Sequence, residues 1–155
     1  MRILFEKSWK SGDYIITVNK EDLDLEVIYN FLSNESYWSK EISKEDVIKS
    51  INNSAICFGL YYLNPVDKKK DQIGFARVIS DLVTHAYLQD VFILAPFREK
   101  GLGNWLLDII TKYEELNIRR IMLSTDDGHS FYSKFGFKPL DNPDFFMQIK
   151  GKGAI

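Results

Sequence analysis

The sequence predicts an α+β domain built on a mostly antiparallel sheet with helices packed against it. Two observations lead to this class. The first is the order of the patterns: a β-rich segment, two helical segments, three strand-like segments, and then a helix, a strand, a helix and short final strands. The second is size: 155 residues, 45% hydrophobic and 27% charged, fit one domain over residues 1–155.

The first half of the chain contains one strand and two helices by pattern. Residues 14–18 are rich in β-branched side chains and predict a strand. Asn19 is placed to cap the helix that follows. The apolar positions of this helix recur at helical spacing: Leu23, Val27, Ile28 and Phe31. A second helix begins after Ser43, which has Asp46 at the capping-box distance.

Three strands are predicted in the middle of the chain, over residues 55–63, 72–80 and 86–94. Between the first two, residues 64–71 contain a proline and a run of lysines, a composition typical of a solvated turn. The order of these strands favours antiparallel pairing and argues against a doubly wound nucleotide-binding fold.

A long amphipathic helix is predicted over residues 103–116. Its apolar stripe consists of Trp105, Leu106, Ile109, Ile110, Tyr113 and Leu116. The remaining elements are a strand over residues 119–124, a short helix over residues 128–135 and final strands around Phe137 and over residues 145–149. Gly136 is placed as the left-handed residue that ends the short helix.

Charge and composition exclude several classes of protein. The net charge of -2 and the pI of about 5.7 leave no surplus of basic residues for binding nucleic acid. The two histidines and the single cysteine lie far apart in sequence, so we expect no metal site. Cys57 lies in an apolar run, which favours a buried and inert thiol.

The sequence also predicts a cytoplasmic protein. Its apolar start at residues 3–5 is too short for a secretory signal. No apolar stretch approaches the roughly 20 residues that a membrane-spanning helix needs. We therefore expect neither a membrane nor a nucleic acid as a partner, and the assembly state stays open, with a homodimer among the alternatives.

A basic loop with two glycines lies between the third of these strands and the long helix. A helix N-terminus attracts phosphate through its free amides and its dipole, and glycine lets an anion approach the backbone. Arg98 and Lys100 add positive charge beside Gly101 and Gly103. A dinucleotide-binding motif would need glycine at Leu106, and no P-loop pattern is present.

These motifs resemble those of the GNAT superfamily of acyl-CoA-dependent N-acyltransferases. Arg98-x-x-Gly101-x-Gly103 after an apolar strand is similar to the family's pyrophosphate-binding motif, and Tyr132-x-Lys134-x-Gly136-Phe137 resembles its second signature. The resemblance implies a GNAT-like fold, with acetyl-CoA bound in a V-shaped cleft between splayed central strands. It implies that backbone groups of Phe92 and Ile93 pair with the pantetheine arm. The residues whose amides would hold the pyrophosphate are Arg98, Glu99, Lys100, Gly101, Leu102, Gly103 and Asn104.

The resemblance also supplies candidates for catalysis. Tyr132 matches the family tyrosine that can give a proton to the leaving thiolate; alternatively, it is a packed aromatic residue. Asp90 lies in an apolar strand, where strict alternation gives it the same face as Leu88 and Phe92. It is a candidate base that acts through water, or a hydrogen-bonded structural acid.

Three further residues complete the predicted site. His129 is a rival base, although beside Asp126 and Asp127 it can instead cap the short helix. Tyr37 and Trp38 are expected to form a wall of the acceptor pocket, or else a core pair.

The predicted function is direct transfer of an acetyl group from acetyl-CoA to an amine. Cys57 lies far from the motifs and gives no support for a covalent enzyme intermediate. Two alternatives stay open: a CoA-binding regulatory or interaction module without turnover, and an acyltransferase that uses another acyl donor or a hydroxyl acceptor. Acidic residues at Asp81, Asp90, Asp126 and Asp127 would suit a cationic amine if they meet at the cleft.

Overall fold

The computed structural model describes residues 7–154, which form a six-stranded sheet in the order β1-β2-β3-β4-β5-β6. The strands are β1 (Ser8–Ser11), β2 (Tyr14–Thr17), β3 (Ile56–Leu63), β4 (Lys70–Ser80), β5 (Ala86–Ile93) and β6 (Ile121–Met122). The helices are α1 (Leu25–Asn30), α2 (Lys44–Asn52), α3 (Leu102–Lys112) and α4 (His129–Ser133). Strands β1 to β5 pair antiparallel and β6 joins β5 in parallel, so the α+β prediction is confirmed.

The helix starts follow local capping chemistry. The Ser43 hydroxyl accepts a hydrogen bond from the Asp46 N–H and begins α2 as the sequence predicts. Asn19, however, caps only a single 3₁₀ turn. The carboxylate of Asp24 accepts hydrogen bonds from two amides of the next turn, so α1 begins at Leu25.

Helix α3 is shorter than its apolar stripe suggests. Tyr113 has φ -68° and ψ 123°, an extended conformation that ends the helix after Lys112. A 3₁₀ turn over Glu114–Leu116 then carries Leu116 back into the core. The stripe therefore continues across a helix boundary that periodicity alone does not reveal.

Helices cover both faces of the sheet, and each face has its own buried cluster. Helix α3 packs on one face through Leu106, Leu107 and Ile110. On the other face, the residues from α1, α2 and the π-helical turn after α1 are Ile28, Phe31, Leu32, Val47 and Ile51. Cys57 is buried in this second cluster, as predicted.

A β-bulge in β5 changes which residues face each layer. Arg77 pairs with Gln89 and Phe75 pairs with Phe92, so two residues of β5 lie opposite Ala76. Before the bulge, Leu88 belongs to the α3 cluster, whereas after it Phe92 belongs to the cluster of α1 and α2. The prediction that Asp90 shares a face with both was wrong, because strict alternation does not hold across a bulge.

The ends of the sheet differ from the prediction. Strand β1 was missed because it is only four residues long and mostly polar. After β6, the described residues contain no further strand, so the final strands predicted around Phe137 and over residues 145–149 are absent. Met147 and Ile149 are 97% and 99% exposed. The apolar start at residues 3–5 lies outside the described residues.

Gly136 has φ +93°, in the left-handed region, and a Cβ added there would meet no atom within 4 Å. Gly136→Ala should therefore lower the free energy of unfolding by about 1 kcal/mol through backbone strain alone. Gly151→Ala is the matched control, because its Cβ would also meet open space and its φ lies outside the left-handed region. Chemical denaturation of both variants tests this, and equal stability of the two would contradict it.

Candidate active site

A cleft opens where β5 and β6 part. The two strands pair only at Ala86 with Ile121 and at Tyr87 with Met122. Beyond these pairs lies a cleft with a volume of about 880 Å³, lined by the rest of β5, the start of α3, α4 and the turn after α1. The V-shaped opening is therefore present with its apex at Tyr87, but it lies between β5 and the end strand β6 rather than between two central strands.

The edge of β5 that faces the cleft carries backbone groups beyond the two residues that pair with β6. The Leu94 N–H donates to the Ile73 carbonyl at 2.8 Å, on the β4 side. Because main-chain groups alternate along a strand, those of Phe92 also point to β4, and those of Ile93 point to the cleft. Of the two residues predicted to contact the pantetheine arm, only Ile93 presents its backbone there. The Phe92 ring instead stacks on Phe31, with centroids 3.9 Å apart.

The glycine loop forms the N-terminus of α3 at the edge of this cleft. Gly101 has φ 77° and ψ 7°, and its carbonyl accepts the Trp105 N–H at 3.0 Å, which closes the first helical turn. The amides of Leu102, Gly103 and Asn104 precede that bond and have no acceptor within the helix. These three residues line the cleft, and amides at a helix N-terminus attract anions.

Positive charge at this end comes from Arg98 and from Lys134. Arg98 lines the cleft, and its Nε donates to the Ile93 carbonyl at 2.8 Å. Lys100 is exposed and does not line the cleft. Lys134 of the second signature donates from Nζ to Asn104 Oδ1 at 2.8 Å and so joins the end of α4 to the start of α3.

Tyr132 lines the cleft from α4. Its ring meets Phe131 and Phe137 edge-on, with centroids 5.1 Å and 5.9 Å away. Burial raises the pKa of Tyr132 to about 12, with smaller contributions from Tyr37 and Asp127. The phenol is therefore neutral at neutral pH, and burial makes it a weaker acid than a phenol in water.

Aromatic and acidic residues form the opposite end of the cleft. Tyr37 and Trp38 meet edge-to-face with centroids 5.0 Å apart, and the Tyr37 hydroxyl accepts the Asp126 N–H at 2.9 Å. Glu35, Asp126 and Asp127 also line this end. Asp81 does not join them, because its carboxylate is bonded within its own turn, to Val83 and Thr84.

Asp90 is buried, and both of its carboxylate oxygens accept hydrogen bonds. Arg77 Nε donates to Oδ2 at 2.8 Å, and Trp38 Nε1 donates to Oδ1 at 2.9 Å. Asp90 lines the cleft with its carboxylate already held by two side chains. This arrangement fits a hydrogen-bonded structural acid better than it fits a catalytic base.

The other candidate groups lie apart from the cleft. His129 is exposed at the start of α4 and does not line it. Burial raises the pKa of Cys57 to about 11, which keeps it a thiol. In residues 7–154, no three or more His, Cys, Asp or Glu side chains are grouped to hold a metal ion. None of the helices described combines the length and apolar character that crossing a bilayer requires.

Comparison with known proteins agrees with this geometry. The family model described as an acetyltransferase (GNAT) domain matches residues 59–139. FG08082 of Gibberella zeae, named as an acetyltransferase, is 32% identical over 96% of this chain and 95% of that protein.

Two solved structures share the fold. A protein from Xanthomonas campestris, described as an acetyltransferase of the GNAT family, superposes with a TM-score of 0.82 at 34% identity, over 93% of this chain and 97% of that one. A GNAT acetyltransferase from Elizabethkingia anophelis contains bound acetyl-CoA; it shares the fold with a TM-score of 0.59 at 15% identity, over 93% of this chain and 92% of that one. The chain belongs to the GNAT acetyltransferase family.

The raised pKa of Tyr132 predicts how stability depends on alkaline pH. Between about pH 10 and pH 12 an unfolded chain loses this phenol proton while the folded protein keeps it, so the free energy of unfolding falls as pH rises. Tyr132→Phe removes this contribution and should make the fall shallower. The free energies of unfolding of the two proteins, plotted against pH, should run parallel between about pH 7 and 9. Above pH 10 the wild-type value should fall more steeply than that of the variant. Parallel curves up to pH 12 would contradict the raised pKa.

Proposed function

We propose that this protein transfers an acetyl group from acetyl-CoA directly to an amine. One observation carries the proposal: a single cleft joins the edge of β5 beyond its pairs with β6, the N-terminus of α3 and a neutral, partly buried phenol. These are respectively what an extended amide-containing arm, a pyrophosphate and a leaving thiolate require. Acetyl-CoA supplies the activated acyl group as a thioester.

The donor end of the cleft fits this molecule in shape and charge. Glycine at positions 101 and 103 keeps side chains away from the amides of the first turn of α3. A Cβ at Gly103 would lie 3.5 Å from Phe131 Cζ, so the backbone here is already close to α4. In the proposal, Ile93 pairs with the pantetheine arm, and Arg98 adds charge beside the pyrophosphate.

Tyr132 holds a proton at its phenol oxygen and donates it to the departing sulfur in this proposal. A free thiol has a pKa near 8.5, so a thiolate leaves more readily when a donor stands beside it. Burial keeps Tyr132 protonated, and its packing against Phe131 and Phe137 fixes the direction of the ring. Its position on α4 would set the reaction between the two ends of the cleft.

The acceptor enters at the aromatic and acidic end in this proposal. Tyr37 and Trp38 supply flat apolar surfaces, and Glu35, Asp126 and Asp127 favour an amine that arrives as a cation. The amine must lose one proton to attack, and we assign that proton to water. The second proton, which the nitrogen loses as the amide forms, replaces the phenol proton that Tyr132 gives to the sulfur. We assign the first proton to neither Asp90 nor His129, because Asp90 is held by two donors and His129 does not line the cleft. Their role as bases stays a prediction.

Ligand binding tests the donor site. Acetyl-CoA should raise the melting temperature, with about 2.7 kcal/mol of stabilisation at a hundredfold excess over its Kd, and NAD at the same concentration should not. Gly103→Val should lose most of this shift, because a branched side chain screens the amides. The melting temperature of Gly103→Val without ligand controls for folding. An unchanged acetyl-CoA shift in a folded variant would disprove the loop assignment.

Kinetics test the phenol. Tyr132→Phe keeps the ring and its packing, so acetyl-CoA affinity should stay constant while kcat falls roughly 10²- to 10⁴-fold. Tyr87→Phe is the matched control, because it removes another hydroxyl that lines the same cleft. Thiol release from acetyl-CoA is measured first with a panel of primary amines and then with the best acceptor. A Tyr132→Phe rate within about threefold of wild type would show that its hydroxyl is not the essential acid. Binding of acetyl-CoA without thiol release from any amine would favour a module without turnover.

A further inference from the structure

A buried polar cluster lies behind the acceptor end of the cleft, centred on Arg77 of β4. Its guanidinium donates to Asp90 Oδ2 at 2.8 Å, to Ser54 Oγ at 3.2 Å and to Gln89 Oε1 at 2.5 Å. The side chains of Arg77 and Asp90 are only 10% and 5% exposed. Charges buried to this degree are costly unless each is paired and hydrogen-bonded, so the cluster favours one arrangement of its members.

The cluster acts on the backbone of β5. Asp90 has φ 55°, a left-handed conformation that residues other than glycine rarely adopt. It is one of the two residues that lie opposite Ala76 in the bulge. Because the ion pair fixes the Asp90 side chain against β4, it stabilises this strained residue in the bulge.

The same carboxylate reaches the acceptor wall. Asp90 Oδ1 accepts the indole N–H of Trp38 at 2.9 Å, and Trp38 packs edge-to-face on Tyr37. The Tyr37 hydroxyl in turn accepts the Asp126 N–H from the loop before α4. A continuous set of contacts therefore runs from Arg77, which does not line the cleft, to four residues that do.

We infer that Arg77 is a positioning residue for the acceptor side of the cleft. It holds Asp90 in the bulge, and Asp90 holds Trp38 as a wall for the amine. The contacts of the donor end, made by Ile93, Arg98 and the start of α3, include no member of this cluster. Loss of the Arg77 contacts should therefore change the handling of the amine and leave acetyl-CoA binding in place. The kinetic part of this inference rests on the proposed function.

Nuclear magnetic resonance tests the link without any activity. The chain has three tryptophans, so an ¹⁵N-labelled protein gives three indole N–H signals, and Trp38→Phe identifies that of Trp38. Arg77→Lys keeps the charge but cannot reproduce the three hydrogen bonds that the guanidinium donates to Asp90, Ser54 and Gln89. It should shift the Trp38 signal and leave those of Trp9 and Trp105 in place. If Arg77→Lys does not fold, Asp90→Asn breaks the same ion pair with little change in size, and the same shift is expected.

Kinetics then separate positioning from general stability. Arg77→Lys and Trp38→Phe should each raise KM for the best amine about tenfold, with the Kd for acetyl-CoA unchanged by calorimetry. The KM of the double variant should not exceed that of either single variant, because both substitutions break the same set of contacts. Arg120→Lys, an arginine that does not line the cleft, is the control and should change neither parameter.

Two results would overturn the inference: a Trp38 signal that does not move in the Arg77 or Asp90 variant, or equal weakening of amine and acetyl-CoA binding. If no amine is acetylated by the wild-type protein, the proposed function fails. The link between Arg77 and Trp38 is then decided by the resonance alone.

Discussion

The bulge at Asp90 is the constraint on which the arrangement of the cleft depends. An extra residue opposite Ala76 increases the local twist of β5 and changes the face to which its side chains point. Leu88 consequently packs toward α3, whereas Phe92 packs toward α1 and α2. Beyond the bulge, register with β4 resumes at Phe92 and Ile93, and the backbone of Ile93 lies at an edge that no strand of residues 7–154 covers. The buried ion pair with Arg77 fixes the Asp90 side chain within the bulge.

The two ends of the cleft carry different charged groups. The amides of the first turn of α3, the helix dipole and Arg98 lie beside the Glu99 carboxylate, while Glu35, Asp126 and Asp127 make the other end acidic. An anionic donor and a cationic acceptor would thus be drawn to different ends of one cavity. Tyr132 lines the same cleft from α4, and Asp127 of the acidic end adds to the burial that raises the pKa of its phenol.

The similarity to the Xanthomonas campestris structure extends over nearly all of both chains, so the two proteins share the framework of the fold. The residues of the acceptor wall come from the turn after α1 and the loop before α4, and loops vary more than the elements that they connect. Recognition of the amine would therefore depend on features that the shared fold does not fix.

Local patterns in the sequence determined the order of the elements from β2 to α4, the N-cap of α2, the left-handed Gly136 and the glycine loop at the start of α3. Each of these depends on neighbours within a few residues, and such neighbours are visible in the chain itself. Only the tertiary structure decided that residues 123–154 contain no further strand, that Lys134 reaches Asn104 and that His129 does not line the cleft. It also gave Asp90 its partners, because the phase change in β5 comes from register with β4, across the sheet rather than along the chain. Residue spacing follows one strand at a time, and a bulge exists only between two.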